Sequence, residues 1–246
     1  MPPVLPGKIA LVTGASRGIG YATALALARA GAHVVAVART VGGLEELDDA
    51  IRAAGSSPAT LVPLDLKDYD GIARLGAALN ERYRRLDVLI ANAGILGPLS
   101  PLGHVPPKEW DEVMAVNVTA NWHLVRSMDP LLRLSDAGRV VFLTSGVGAN
   151  PRAYWGPYAV SKAALDALAR TYAAETVTTN VRVNLLSPGP TRTRMRAAAM
   201  PGEDPMSLKT AEPVADKIVE LCLPEFQETG KLYDFRQGRL VPAPGG

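Results

Sequence analysis

Short apolar runs recur along this chain at 9–13, 33–38, 60–64, 88–91, 139–145, 181–186 and 232–235. They are rich in Val, Ile and Leu, and as a set they lack the polar alternation of a half-exposed sheet. Longer stretches with helical periodicity lie between them, near 18–30, 42–54, 68–84, 107–133, 157–177 and 212–222. Strands with no polar face require a sheet covered on both sides. Regular strand–helix alternation makes that sheet parallel, with right-handed crossovers. The pattern predicts an α/β chain with a doubly wound, seven-stranded parallel sheet and helices on both faces. Ligands bind such sheets at the carboxyl ends of the strands, near the switch in strand order.

No linker or repeat divides the chain. It reads as a single domain over 1–246, with a cofactor half at about 8–145 and a catalytic and substrate half at about 146–241. Pro/Gly-rich stretches at 94–107 and 187–205 follow strands, where ligand-binding loops belong. The stretch 242–246 reads as a frayed tail.

Composition narrows the function. The chain is 48% hydrophobic, so its 246 residues can bury a full core without cross-links. Cys222 is the only cysteine, which excludes an internal disulfide and a cysteine-based zinc site. His33, His104 and His123 lack the close spacing of a helical metal motif, so no metal is expected. The net charge is +2 with dispersed basic residues, which points to neither nucleic acid nor membrane. Met1–Gly7 has no signal-peptide pattern. No apolar run approaches the roughly 18 residues that span a bilayer. The expectation is a soluble, cytoplasmic protein.

The first predicted strand runs into Gly14-Ala15-Ser16-Arg17-Gly18-Ile19-Gly20. Glycines between a strand and a helix let the backbone approach a pyrophosphate, and the helix N-terminus offers unpaired amides. The spacing is G-x-x-x-G-x-G, not the usual dinucleotide fingerprint G-x-G-x-x-G. The second strand ends in Ala38-Arg39, where a carboxylate would favour a free ribose diol. Arg39 and Arg17 instead suit a 2′-phosphate. NADP(H) is therefore expected to be preferred over NAD(H).

Tyr158 and Lys162 are four residues apart in a segment whose Pro157 suggests a helix start. They would share one helix face. The Lys162 ammonium would then favour the Tyr158 phenolate and lower its pKa, suiting it to general acid/base work. Ser145, at the end of the fifth predicted strand, could hold a substrate oxygen. Together these residues describe hydride transfer between a nicotinamide cofactor and a small carbonyl or alcohol substrate.

These motifs in this order resemble the single-domain short-chain dehydrogenase/reductase family, from Lys8 to about Phe235. The resemblance implies a Rossmann-type fold and a catalytic set of Asn117, Ser145, Tyr158 and Lys162. Asn117 would order a water in the proton relay to lysine, and Lys162 would also bind the nicotinamide ribose. It implies that Asp65, with Leu66, contacts adenine. It implies that Asn92-Ala93-Gly94 closes the fourth strand, and that Pro188-Gly189, Thr191 and Thr193 face the nicotinamide. Thr191 departs from the family's usual Val or Ile. The ending Arg236-Gln237-Gly238-Arg239 departs from the common Asp-Gly-Gly, which bears on the homo-oligomer, tetramer or dimer, that the family implies.

On the substrate side, Leu96, Leu99, Leu102, Met195, Met200 and Met206 are expected to line the cleft. Tyr154 and Trp155 are expected to form a wall. Arg192, Arg194 and Arg196 alternate, and spacings of two do not share a helix face. At most one or two could meet an acidic substrate group. Two other readings compete. One is a catalytically silent, dinucleotide-binding regulatory protein. The other is an extended sugar-nucleotide epimerase, which the short stretch after the sixth strand disfavours.

Overall fold

Seven parallel strands and one antiparallel strand form the sheet of this protein, whose computed structural model describes residues 4–243. Residues 1–3, where the N-terminal segment begins, and 244–246, most of the expected tail, lie outside the described residues. The first half runs β1 (Ile9–Thr13), α1 (Gly18–Arg29), β2 (His33–Ala38), α2 (Val41–Ala53), β3 (Thr60–Pro63), α3 (Tyr69–Tyr83) and β4 (Val88–Ala91). It continues through α4 (Pro107–Met114), α5 (Ala120–Leu132), β5 (Arg139–Leu143), α6 (Gly146–Ala149) and α7 (Gly156–Glu175). The chain closes with β6 (Arg182–Ser187), α8 (Arg194–Ala199), α9 (Glu212–Leu221), β7 (Lys231–Asp234) and β8 (Arg239–Pro242). The strand order is β3-β2-β1-β4-β5-β6-β7-β8, so the direction of winding reverses between β1 and β4.

The eighth strand corrects the seven-stranded, all-parallel expectation. It folds back on β7 with Asp234 opposite Arg239. Gly238 enables the tight hairpin by taking φ +64°, and its amide bonds the Asp234 carbonyl at 2.8 Å. Pro242 thereby belongs to a strand and not to a frayed tail. β8 lies on the edge of the sheet, which tolerates its Pro.

Alternate residues of each central strand feed opposite faces. Val35 and Val37 join Ile72 and Leu75 of α3, Leu124 of α5 and Leu165 of α7. Val34 and Ala36 join Leu27 of α1, Leu44 of α2 and Ile218 of α9. Two cores thus sandwich the sheet, which is why its strands read as unbroken apolar runs. Two buried charges tie the edge opposite the strand carboxyl ends. Asp87 accepts from Ile9 N at 2.8 Å and Ser135 Oγ at 2.6 Å, and Arg139 donates to the carbonyls of Leu223 and Pro224. No helix among the described residues is long and apolar enough to cross a membrane.

The stretch read as one helix over 107–133 is interrupted. Between α4 and α5, Ala115–Thr119 form a π-helical turn containing Asn117. Such turns widen a helix and free backbone groups, often at functional sites.

Candidate active site

A cleft of about 770 Å³ opens over the carboxyl ends of the strands, at the β1/β4 reversal. Of the residues predicted for catalysis and cofactor binding, all reach its wall except Asn117 and Gly20. Those two lie beneath it, and the reasons differ.

Gly20 sits where α1 crosses the glycine loop. A Cβ there would overlap the Gly14 carbonyl and the Asn92 side-chain amide. Gly14 and Gly18 take φ of +68° and +58°, and a Cβ on Gly14 would come within 2.9 Å of Asn92 Nδ2. The loop is therefore glycine-rich for close approach as well as for conformation. Its position is locked by Thr13, whose hydroxyl accepts from the amides of Asn92 and Ala93, both at 3.1 Å. Asn92 Nδ2 in turn donates to the Thr13 carbonyl at 2.8 Å. Asn92 thus holds the loop from below.

The N-terminus of α1 faces the cleft with no side-chain cap and no acidic residue in its first turn. Its free amides and partial positive charge suit a pyrophosphate. Arg17 and Arg39 line the same end and are exposed, as a 2′-phosphate would require. Asp65 Oδ1 accepts from the Lys67 amide at 2.9 Å, fixing the turn after β3 at the cleft wall. Leu66 lines the cleft while packing into the core. Ser16, Ile19, Ala93 and Gly94 complete this half of the wall. These residues fit a dinucleotide.

At the other end, Tyr158 and Lys162 lie one turn apart on α7, both buried. Pro157 stands in the first turn of α7, as its position in the sequence suggests. The Lys162 ammonium lies 5.6 Å from the Tyr158 ring centre and donates to the Leu143 carbonyl at 2.7 Å. Burial pushes the Tyr158 phenol up to about 12, against the pull of the Ser145 hydroxyl. Burial lowers Lys162 to about 8, opposed by the negative charge of Asp166. The phenol is thus held protonated at neutral pH, opposite to the lowered pKa expected from Lys162, because burial desolvates the phenolate. Ser145 caps α6 two residues beyond the end of β5, so it belongs to a turn and not to the strand.

Asn117 is fully buried, and its side chain is spent on structure. Its Oδ1 accepts from Ile95 N at 2.8 Å, while Nδ2 donates to Ile95 O and Ser161 Oγ, both at 2.9 Å. Its backbone carbonyl accepts from Asn121 Nδ2 at 2.8 Å.

The loop after β6 crosses the cleft. Gly189 has φ +63°, Thr191 turns its hydroxyl back to the Gly189 carbonyl at 3.2 Å, and Thr193 caps α8 through Arg196 N. The Thr193 methyl lies 3.5 Å from where a Gly18 Cβ would stand, so this loop rests on the glycine loop. Leu96, Trp155 and Met195 line the cleft, whereas Leu99, Leu102, Tyr154, Met200 and Met206 do not. Tyr154 takes φ +72°, is exposed, and gives its carbonyl to Ser100 N at 3.0 Å, so it ties two loops together and does not form a wall.

Sequence reading took Thr13 only as the first residue of the loop Thr13–Gly20, without its hydrogen bonds, and missed Ser161 and Asp166. Neither of these two sits in a motif of charge or spacing; each is visible only once α7 is packed against its neighbours.

The short chain dehydrogenase family model matches residues 8–204. The oxidoreductase YciK of Escherichia coli K12 is 39% identical over 240 residues, covering 96% of this chain and 94% of that protein. A short chain dehydrogenase from Shigella flexneri, solved with NADP, superposes with a TM-score of 0.91 at 37% identity over 95% of this chain and 99% of the other. One from Escherichia coli CFT073, solved with NADPH, gives a TM-score of 0.90 at 38% identity over 95% and 98%. With a doubly wound sheet, a glycine loop at its reversal and a buried Tyr–Lys pair on the helix that follows, this oxidoreductase chain belongs to the short-chain dehydrogenase/reductase family.

Proposed function

We propose that the protein is an NADPH-dependent reductase of a carbonyl compound, working as an alcohol dehydrogenase in reverse, with Tyr158 as general acid/base. The observation that carries this reading is the buried Tyr158–Lys162 pair facing the same cleft as the glycine loop. A bound NADPH would supply the hydride that reduces the carbonyl carbon.

The chain's own residues do the rest. Ser145 donates a hydrogen bond to the substrate oxygen and orients it. Tyr158, protonated at neutral pH, gives its proton to that oxygen as negative charge develops. Lys162 holds positive charge beside the phenolate that results, which limits the cost of a buried anion. Trp155 and Leu96 keep water from this end of the cleft. The cofactor half before Ser145 and the substrate half after it act as one domain. NADPH is preferred because Arg17 and Arg39, and no carboxylate, stand beyond β1 and β2.

The test is oxidation of NADPH and NADH against a panel of aldehydes, ketones and 3-oxo compounds, with Tyr158→Phe in parallel. Turnover that Tyr158→Phe lowers by roughly 10²-fold or more, with cofactor binding retained, is the expected result. Unchanged turnover in that variant would reject Tyr158 as the proton donor.

A further inference from the structure

The cleft carries more positive charge at its substrate end than the cofactor calls for. Arg17 and Arg39 stand at the adenosine side, beyond β1 and β2. On the other side of the β1/β4 reversal, five more arginines line the wall, Arg192 and Arg196 among them, and three of the five hold no side-chain hydrogen bond among the described residues. Arg152 lies between α6 and α7, Arg194 begins α8, and Arg236 follows β7. All three are exposed to the cleft, and none forms an ion pair among the described residues.

Their neighbours behave differently. Arg196 closes on Glu203 through two hydrogen bonds of 2.5 Å, and Arg192 donates to the Leu208 carbonyl at 3.3 Å. The alternating arginines after β6 are thus sorted by the fold: Arg196 is neutralised, Arg192 is partly engaged, and Arg194 is free. Asp65 is the one carboxylate on the cleft wall among the described residues, and it lies at the adenine end. Positive charge also crowds the base of the loop. Lys209, held over the Phe235 ring at 5.0 Å, has its pKa lowered by burial and then by Arg236.

Uncompensated arginines from three separate segments line one cleft together with Leu96, Trp155 and Met195, a wall that offers positive charge and apolar surface to an anion with an apolar body. The planar guanidinium matches carboxylate and phosphate oxygens in two-point contact. We propose that the substrate is a carbonyl compound bearing an oxyanion, carboxylate or phosphate ester, remote from the reacting carbonyl, held by Arg152, Arg194 and Arg236. This rests on the reductase reading for the word substrate, but the anion subsite can be measured without turnover.

The full chain saturated with NADPH is titrated calorimetrically with straight-chain fatty acids, their primary amides and the matching alkyl phosphates. The expected result is that an acid or alkyl phosphate binds roughly tenfold more tightly than the amide. The tighter of the two anions identifies the substrate's charged group. Arg152→Gln, Arg194→Gln and Arg236→Gln each reduce that preference toward unity, whereas Arg196→Gln keeps it because Glu203 already offsets that charge. Equal binding of acid, phosphate and amide would overturn the proposal. So would arginine variants that weaken NADPH binding while the preference persists, since the arginines would then serve the cofactor. The same titrations in Tyr158→Phe separate the two readings: loss of turnover there tests the proton donor, and the binding preference tests the subsite. Straight-chain oxo-acids reduced with higher kcat/KM than their amides would join the two.

Discussion

The Thr144 hydroxyl donates a hydrogen bond to the Asp166 carboxylate, linking the turn that carries Ser145 to the helix that carries Lys162. Both partners are buried. A Cβ on Gly148 of α6 would stand 3.2 Å from the second Asp166 oxygen, so the short helix beyond Ser145 packs directly on this carboxylate. Burial raises the Asp166 pKa, and Thr144, Lys162 and Arg170 oppose the rise. Asp166→Ala leaves the Thr144 hydroxyl unpaired and is expected to cost about 1–3 kcal/mol of stability, read by denaturant unfolding. It also removes a negative charge that raises the Lys162 pKa. The alkaline limb of reduction then moves to lower pH, and a limb that stays in place would show that Asp166 acts on packing alone.

The pH dependence of the parent protein follows from the same pair. On the proposed mechanism, reduction needs Tyr158 protonated and Lys162 charged. With the phenol at about 12 and the ammonium at about 8, the lysine titrates first as pH rises. Reductive kcat/KM should hold through neutral pH and fall above about 8. Oxidation needs the phenolate as base, so its rate climbs only as pH approaches the phenol value of about 12, above the point where reduction begins to decline. Rate profiles in both directions, taken with one buffer series at constant ionic strength, check the crossing. A reductive limb that begins well below neutrality would mean another group controls the rate.

Much of this was legible in the chain because the physics is local. Unbroken Val/Ile/Leu runs report burial on both faces, and β1, β2 and β4 fall on the residues that pattern marks. The glycine loop and the Tyr158–Lys162 spacing are likewise short-range signals. What the sequence hid is set by contacts distant along the chain. β8 is a short edge strand after a basic turn, and only Gly238 hints at its hairpin. The π turn at Asn117 leaves no mark on periodicity, because one extra residue per turn is lost between two good helical stretches. The side-chain role of Asn117 is also invisible, since its partners Ile95 and Ser161 come from other elements. The Tyr158 pKa went the other way from expectation because burial is a property of the assembled cleft, and four-residue spacing says nothing about it.

Gly20 is a sharp test of the cofactor loop. An added methyl meets the Gly14 carbonyl and the Asn92 amide, both backed by Thr13. Backbone and a hydrogen-bonded amide cannot swing aside as a flexible side chain would. Gly20→Ala is expected to cost about 1–3 kcal/mol and to weaken NADPH binding, because the loop must shift to relieve the overlap. Gly42→Ala is the control, since nothing lies within 4 Å of its Cβ position. Calorimetric titration with NADPH and thermal unfolding of both variants compare the two sites. Equal affinity in Gly20→Ala and the parent would mean the loop relaxes at no cost to the pyrophosphate site.

On the proposed reading, cofactor choice turns on Arg17 and Arg39. Both are exposed at the cleft wall, so each contact with a 2′-phosphate is partly screened by solvent. A charge-assisted bond in that setting is worth about 1–2 kcal/mol. Arg39→Ala should therefore raise the NADPH dissociation constant roughly tenfold, and the Arg17→Ala, Arg39→Ala double variant by more. NADH lacks the phosphate, so its affinity changes little and the ratio between the cofactors collapses. The penalty should also shrink as salt rises, because screening weakens the contact in the parent but has nothing to weaken in the variant. Dissociation constants for both cofactors at low and high salt give all four comparisons. If both variants weaken NADH as much as NADPH, the arginines hold the adenosine or the loop itself, and the preference for NADPH would need another source.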